Sequence, residues 1–530
     1  MEKASASKSS ENNSNLFFII LYVFLLAAYF VIRYKGKWLE GDTVRQIEGT
    51  LNLLQTGSLA PTEHSYLFGY NYQFISSMLS LLTGVEVHNL MILIRPFWII
   101  ILPPVSYLYY RQLFIEEYPA TLATFLLFLQ PELMFVSLRG SHEVITWFLV
   151  LLAVFILTKS YLQARYLRFF LTYVLVFYLV MYALISTNFF FASTFIFGLI
   201  IAFFIGTSIN RYFPIKANQI TYRIYSRLLI TTLAGAVLLF IFIFYIYTPA
   251  QRPFNQLSTL IEKISATLFS FQVDTNPYGQ FISTTWVSPW IYLMLTLGNW
   301  ITVLVSCVGC VLIGYRRVLL KKEISEPMYL LWLLYLAFAL QLFLSIIIDF
   351  SGGLSSNLQL RLFPALIITA VPLAIFLIHE IAKKYNFFHS STKILYSSIS
   401  LILIGWLLTA SLLKSTNEPW VSNKWDFSTE SEDAGIRWMK RYINYGPVWI
   451  SPDERLRDIS IAIDPDSKNY MAYDIFVLSA GTKYVFLSDV NKMLAQRLKL
   501  VLPNLDQENI IYSNGNTDIY KFRTETLFEK

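Results

Sequence analysis

Charge is scarce in this sequence. Only 14% of its 530 residues are Asp, Glu, Lys or Arg, while 55% are hydrophobic and 17% aromatic. Soluble domains carry about a quarter charged residues, which excludes a water-soluble globule and leaves a polytopic α-helical membrane protein. The net charge of +7 calls for no nucleic-acid partner, because its distribution matters more than its sum. Cysteine is scarcer still. Cys307 and Cys310 share one apolar run, "WITVLVSCVGCVLIGY". Their C-x-x-C spacing lacks the second pair that zinc needs, and they read as two small residues on one lipid-buried helical face. Without a disulfide framework the compartment must come from topology. A repeat period is also lacking, and so is any low-complexity tract beyond the short polar N-terminus.

What is abundant is long apolar runs. A spanning helix needs about 20 mostly apolar residues. Eleven runs qualify, near residues 16–33, 90–110, 119–137, 143–158, 167–185, 189–208, 228–247, 288–314, 328–348, 361–381 and 394–413. The first has a basic start, as a signal peptide would. "YFVI" carries its apolar run past Ala27-Ala28 and spoils a cleavage site, so an uncleaved anchor is expected. With the N-terminus cytoplasmic, the inner loops are "YRQLFIEEYP", "KSYLQARYLR", "NRYFPIKANQITYRIYSR", "YRRVLLKKEISEP" and "KKYNFFHSSTK". The longest of these are basic, as the positive-inside rule requires. An odd number of spans places the C-terminus outside the cell membrane.

From residue 415 the composition becomes that of a soluble domain, so residues 1–414 are read as the membrane domain and 415–530 as a small extracytoplasmic α/β domain. "STESEDAGIRWMKRY" is a helix start. "PVWIS" and "KYVFLS" read as short strands and "DVNKMLAQRLKL" as a helix. "NIIYSNGNTDIYKF" puts an Asn-Gly turn between two β-type runs, a hairpin signal. This domain has no Gly-rich phosphate loop and no His/Cys cluster.

Ionisable residues near membrane depth are functional candidates, and four outward groups stand out. Glu40-Gly41-Asp42 follows the first span; two carboxylates around a glycine can hold a divalent cation or serve as a general base. They also suit an ordinary wet loop. The context raises their interest. Val44, Ile47, Leu51 and Leu54 give the next segment the spacing of an interfacial amphipathic helix, and the first outer loop runs over 34–89, far beyond ordinary connections. The second group is Glu132, Arg139, His142 and Glu143. Arg139 and Glu143 are spaced to pair with each other on a helix, or Glu143 and His142 face the first loop across a cavity. The third is Arg361, whose planar fork suits phosphate oxygens or, equally, a snorkelling contact with headgroups. The fourth is the loop over 248–287, a lid or a surface helix.

One span, an acidic motif in a long first outer loop, a second acidic outer loop, about eleven spans and an outer α/β domain together resemble the GT-C superfamily of integral-membrane glycosyltransferases. The run "EGDTVRQIEGTLNLLQTGSL…YLFGYNYQFISSMLSLLTG" is similar to first loops of prokaryotic members. The resemblance implies a lipid-linked sugar donor, a polyprenyl phosphate or diphosphate, and transfer outside the cytoplasm with inversion at the anomeric carbon. It gives Asp42 the role of motif acid, base or metal ligand, with Glu40 as looser partner. It puts Glu143 and His142 in the second acidic motif and Arg361 in the place of a phosphate-holding arginine. A divalent cation, Mg or Mn, would sit on Asp42 and Glu143. The acceptor is a glycan, lipid or protein.

Two departures qualify this. The first motif is Glu-Gly-Asp rather than Asp-x-Asp, and the oligosaccharyltransferase "WWDYG" motif is absent, with only "KWDFS" at 424–428. That argues against peptide N-glycosylation. A lipid-linked glycan polymerase or ligase is the nearest competing reading, distinguished by a large, Arg-rich late outer loop. A transporter or flippase would show matching halves, and none is visible. A non-catalytic receptor would leave Glu40, Asp42 and Glu143 without a shared cavity.

Overall fold

The computed structural model describes residues 2–38, 41–58, 69–139, 141–163, 166–213, 234–251, 262–263, 265–266, 289–322, 324–351, 358–385, 390–416, 418, 427–443, 448–449, 471–472, 484–498, 502 and 504–521. Most are helical. Glu40 and nearly all of the 248–287 loop lie outside the described residues.

Among the described residues eight helices are long and apolar enough to cross a membrane: Asn15–Tyr34, Val87–Leu113, Glu143–Leu162, Leu167–Thr187, Phe189–Tyr212, Leu293–Leu319, Glu326–Ser351 and Leu358–Lys383. Each coincides with an expected run. The run expected at 119–137 is instead two helices, Glu117–Phe128 and Pro131–Leu138, bent by 65°. Proline disfavours the helical conformation in the residue before it, and Gln130 is extended at ψ 115. The two remaining runs appear as the shorter apolar helices Ala234–Ile246 and Ser400–Ser415.

Lipid-facing and inward stripes are legible on the same helix. On Leu167–Thr187, Leu171, Leu175 and Leu179 are exposed, whereas Phe177, Val180, Met181 and Leu184 are buried. Lipid is the solvent for the first set, so their exposure carries no hydrophobic penalty. The long helix Leu358–Tyr385, hereafter α1, packs against Pro289–Gly314 (α2) and Glu326–Ser351 (α3). A Cβ on Gly309 of α2 would sit 2.6 Å from the Leu373 carbonyl oxygen, so glycine is what lets α2 approach α1. Proline lacks an N–H, so Pro372 inside α1 frees the Ile368 carbonyl. Tyr110, itself buried, donates its hydroxyl to that carbonyl at 3.0 Å. Cys307 and Cys310 lie against α3, where the Trp332 indole donates to the Cys310 carbonyl at 3.1 Å, and both thiols are free.

The C-terminal segment carries a five-stranded sheet, Val448–Trp449 (β1), Met471–Ala472 (β2), Tyr484–Ser488 (β3), Asn509–Ser513 (β4) and Thr517–Lys521 (β5), in the order β2-β1-β3-β5-β4. β1 pairs parallel with β2 and β3, while β3–β5 and β4–β5 are antiparallel. The hairpin β4–β5 turns at Asn514-Gly515, as the sequence leads one to expect. Helix Glu430–Tyr442 starts in a capping box: Thr429 Oγ1 accepts from the Glu432 N–H and the Glu432 carboxylate accepts from the Thr429 N–H.

This segment grips the chain just after the first span. Arg33 meets Glu418 with two parallel 3.0 Å bonds. Trp38 forms an antiparallel bridge with Phe427, and Ser428 N–H donates to the Lys37 carbonyl at 3.0 Å. Lys37 Nζ also lies 3.2 Å from Asp433. Thr429→Ala should remove one half of the capping box and cost about 1 kcal/mol. Hydrogen exchange of residues 430–442 should quicken accordingly while the apolar spans stay protected.

Candidate active site

The site is built where four pieces of chain meet at one end of the bundle. The first is helix Gly41–Thr56 (α4), which carries half-buried Asp42 in its first turn. Among the described residues the Asp42 carboxylate has no hydrogen-bond or ion-pair partner, a position at which the helix dipole favours negative charge. α4 buries Val44 and Ile47 as expected of an amphipathic helix. It also buries Thr43, Gln46 and Thr50, which the expected apolar stripe did not anticipate. This polar side meets helix Asn71–Thr83 (α5): a Cβ on Gly49 would collide with the Gln73 amide, and Ser77 Oγ donates to the Thr50 carbonyl at 3.5 Å.

The second piece is the entry to α5. Gly69 has φ +155, and a Cβ there would collide with the Ser186 and Thr187 carbonyl oxygens. Only glycine permits this approach. Tyr70 N–H then donates to Ser186 O at 2.8 Å, and Asn71 Nδ2 to Thr187 Oγ1 at 2.8 Å. The end of the first loop is thereby tied to the corner between Leu167–Thr187 and Phe189–Tyr212.

Asn188 sits at that corner. Its Oδ1 accepts from the Phe191 N–H at 3.3 Å and caps the helix that follows. The cap leaves Nδ2 facing His142 Nε2 at 2.6 Å. An amide NH2 only donates, so Nε2 accepts and the imidazole is neutral with its proton on Nδ1. Burial pushes the His142 pKa below the ordinary histidine value, against the pull of Glu143 and Asp42 and with the push of Arg139 and Arg361. The charges that act on His142 are thus those of Glu143, Asp42, Arg139 and Arg361.

The third piece is the 139–143 turn. Arg139 and Glu143 do pair, with Nη2 at 2.5 Å and Nε at 3.0 Å from Glu143 Oε2. They do so across a turn rather than within one helix, since Arg139 is extended past Pro131–Leu138 and Glu143 opens the next helix. Ser141 Oγ also reaches Oε2 at 3.5 Å. Oε1 has no partner among the described residues. Glu132 belongs elsewhere: it is buried and pairs with Lys414 at 3.4 Å, and no described contact joins it to Asp42 or His142.

The fourth piece is the start of α1, where Arg361 is exposed. Asp349, 2% exposed at the end of α3, accepts from the Leu358 and Gln359 N–H groups at 2.9 and 3.0 Å and fixes where α1 begins.

Sequence reasoning missed Asp349, Asn188, Tyr72 and Arg95. Arg95 is 1% exposed within the span Val87–Leu113, with no carboxylate partner among the described residues. Its guanidinium lies 3.2 Å from the centroid of Tyr72 and 4.4 Å from that of Trp98, and Nη2 donates to Ser76 at 2.9 Å. Tyr72 in turn meets the His142 ring edge-on at 6.3 Å. The signal was present: a lone arginine in the apolar run "NLMILIRPFWII".

With this geometry in hand, the solved structures that resemble it can be weighed. AglB, an archaeal oligosaccharyltransferase from Archaeoglobus fulgidus in complex with an inhibitory peptide and a dolichol-phosphate, has a TM-score of 0.56 at 11% identity, covering 93% of this chain and 71% of that one. The chain has the GT-C fold. The A. fulgidus oligosaccharyltransferase tethered to an acceptor peptide containing the NVT sequon gives 0.54 at 14% identity, over 95% and 74% of the two chains. Its complex with Zn and sulfate gives 0.52 at 12% identity, over 95% and 72%. No family model and no curated protein sequence matches this GT-C-folded chain.

Asn188→Asp keeps the capping oxygen but replaces the donor facing His142 with a carboxylate. An opposite charge this close favours the imidazolium, so the His142 titration should move up by roughly one pH unit or more. NMR of 13C-labelled histidine in detergent would read it, since the chain has only 5 histidines.

Proposed function

We propose that this chain is a membrane glycosyltransferase that moves a hexosyl or pentosyl group from a polyprenyl-phosphate or polyprenyl-diphosphate donor to an acceptor on the outer face of the cell membrane. The observation that carries this reading is the gathering of Asp42, Glu143 and Arg361 about one buried, neutral histidine at one end of a GT-C-folded bundle. In this orientation the N-terminus is cytoplasmic and residues 415–530 form an extracytoplasmic domain.

The chemistry follows from the groups present. The polyprenyl tail stays in lipid while its phosphate and sugar enter the site. Asp42, with no competing partner among the described residues, takes the proton of the acceptor hydroxyl as that oxygen attacks the anomeric carbon. The bond from the anomeric carbon to the phosphate oxygen breaks, and its electron pair leaves with the polyprenyl phosphate. A single displacement of this kind inverts the anomeric centre. Arg361 offsets the charge that develops on the departing phosphate. His142 stays neutral, so it neither adds a cation to the site nor competes for the proton. The phosphate is already a good leaving group, so no second carboxyl is needed to protonate it, unlike in glycosidases.

A divalent cation, Mg or Mn, would be held by Asp42 and Glu143, because magnesium takes one or two carboxylates plus water and substrate phosphate. Among the described residues no group of three or more His, Cys, Asp or Glu side chains offers a richer site. Bound there, the ion would supply Lewis-acid stabilisation of the leaving phosphate. The acceptor is a glycan, lipid or protein; the missing "WWDYG" motif separates it from the peptide acceptor of the oligosaccharyltransferase.

Transfer from a defined lipid-linked sugar, followed in nanodiscs, tests the reading. Asp42→Asn should lower the rate by about 10²–10⁴-fold with folding intact. Arg361→Ala should lower it by about 10²-fold or more, and full activity in a well-folded Asp42→Asn protein would sink the assignment. Chelation with EDTA should reduce transfer and added Mg or Mn restore it, as read by the same assay.

A further inference from the structure

The far end of α1 from the candidate active site borders a cavity. From Arg361 to His379 is about 27 Å of α1 at 1.5 Å per residue, and the far end of that helix forms one wall of a cavity of about 800 Å³. The other walls come from residues 111–119 and from the connection between α2 and α3. These are three of the segments whose Lys and Arg content reads as cytoplasmic, here assembled around one space.

Most of its cations are paired. Arg111 pairs with Glu117 at 3.0 Å, Arg316 with Glu380 at 2.5 Å and Lys383 with Glu116 at 2.8 Å. Lys322 is the lining cation left over, with no carboxylate partner among the described residues. It is delivered by unusual backbone. Residues Tyr315–Leu319 form a π-helical turn, and Lys321 adopts φ +51, a conformation rare outside glycine. Both features concentrate at functional sites. Gln112, also in the lining, has both amide atoms buried without a hydrogen-bond partner. Phe114, Met328 and Phe376 supply an apolar wall, and Ile115 stands 99% exposed beside it.

We propose that this cavity binds one anionic glycerophospholipid, its phosphate at Lys322 and an acyl chain along Phe114 and Phe376. The apolar wall favours a lipid over free phosphate. The site is independent of the sugar-transfer reading, because it shares no residue with it.

The test is native mass spectrometry of the full chain after exchange into phosphatidylglycerol or phosphatidylcholine. The native protein should retain phosphatidylglycerol preferentially. Lys322→Ala should lower its occupancy about fivefold, the effect of one lysine at an anionic lipid surface, and Lys322→Glu should bring it to the phosphatidylcholine level. Arg168→Glu, an exposed cation outside the lining, should leave it unchanged. Equal retention of the two lipids, equal effects of Lys322→Glu and Arg168→Glu, or displacement of the lipid by millimolar inorganic phosphate would each overturn the proposal.

Discussion

The position of the proposed base depends on a clamp made by distant sequence. Asp42 lies only a few residues beyond the first span, and residues 33–38 ahead of it are held by chain from after residue 414. The Arg33–Glu418 fork is the strongest part, because planar bidentate pairs fix direction as well as distance. The backbone bridge Trp38–Phe427 extends the grip, and the rings of Phe30, Tyr34, Trp38 and Phe427 close around it with centroids 4.9–5.5 Å apart. Glu418 is 6% exposed, so removing Arg33 would strand a buried carboxylate. The C-terminal segment thus braces the approach to the candidate site, though none of its described residues lends a side chain to it.

A second constraint works from the other side. The carbonyls of Ser186 and Thr187 accept the approach of Gly69, and Asn188 spends one amide on two tasks, capping a helix and fixing the His142 tautomer. The imidazole cannot change its protonation without disturbing that amide. Neutrality of the site is thus a property of helix packing rather than of the histidine alone.

Much of this was legible in the residues, for physical reasons. Spans show because lipid tolerates few polar groups over about 20 residues, and the capped helix at 430–442 and the hairpin at 514–515 show because their signals are local. The 65° break before Pro131 was written in the sequence too, but apolar continuity hid it. Asp42, Glu143 and Arg361 could be picked out as charges at span ends. Their grouping depends on Asn188 and Asp349, ordinary residues whose partners lie far along the chain, and no local pattern announces such a contact. Glu132 shows the converse: its acidity drew attention, and the fold uses it to match Lys414.

The helix from Leu358 to Tyr385 has one end at the proposed base's neighbourhood and the other in the lipid-binding cavity, and it contains Pro364 and Pro372. Each proline deletes a rung of the hydrogen-bond ladder, and among the described residues only the break at Pro372 is braced, by Tyr110. Such a helix is a jointed rod rather than a rigid one. Strain introduced at His379 or Lys383 can be taken up as bending at the joints, which leaves the two membrane faces mechanically insulated from each other.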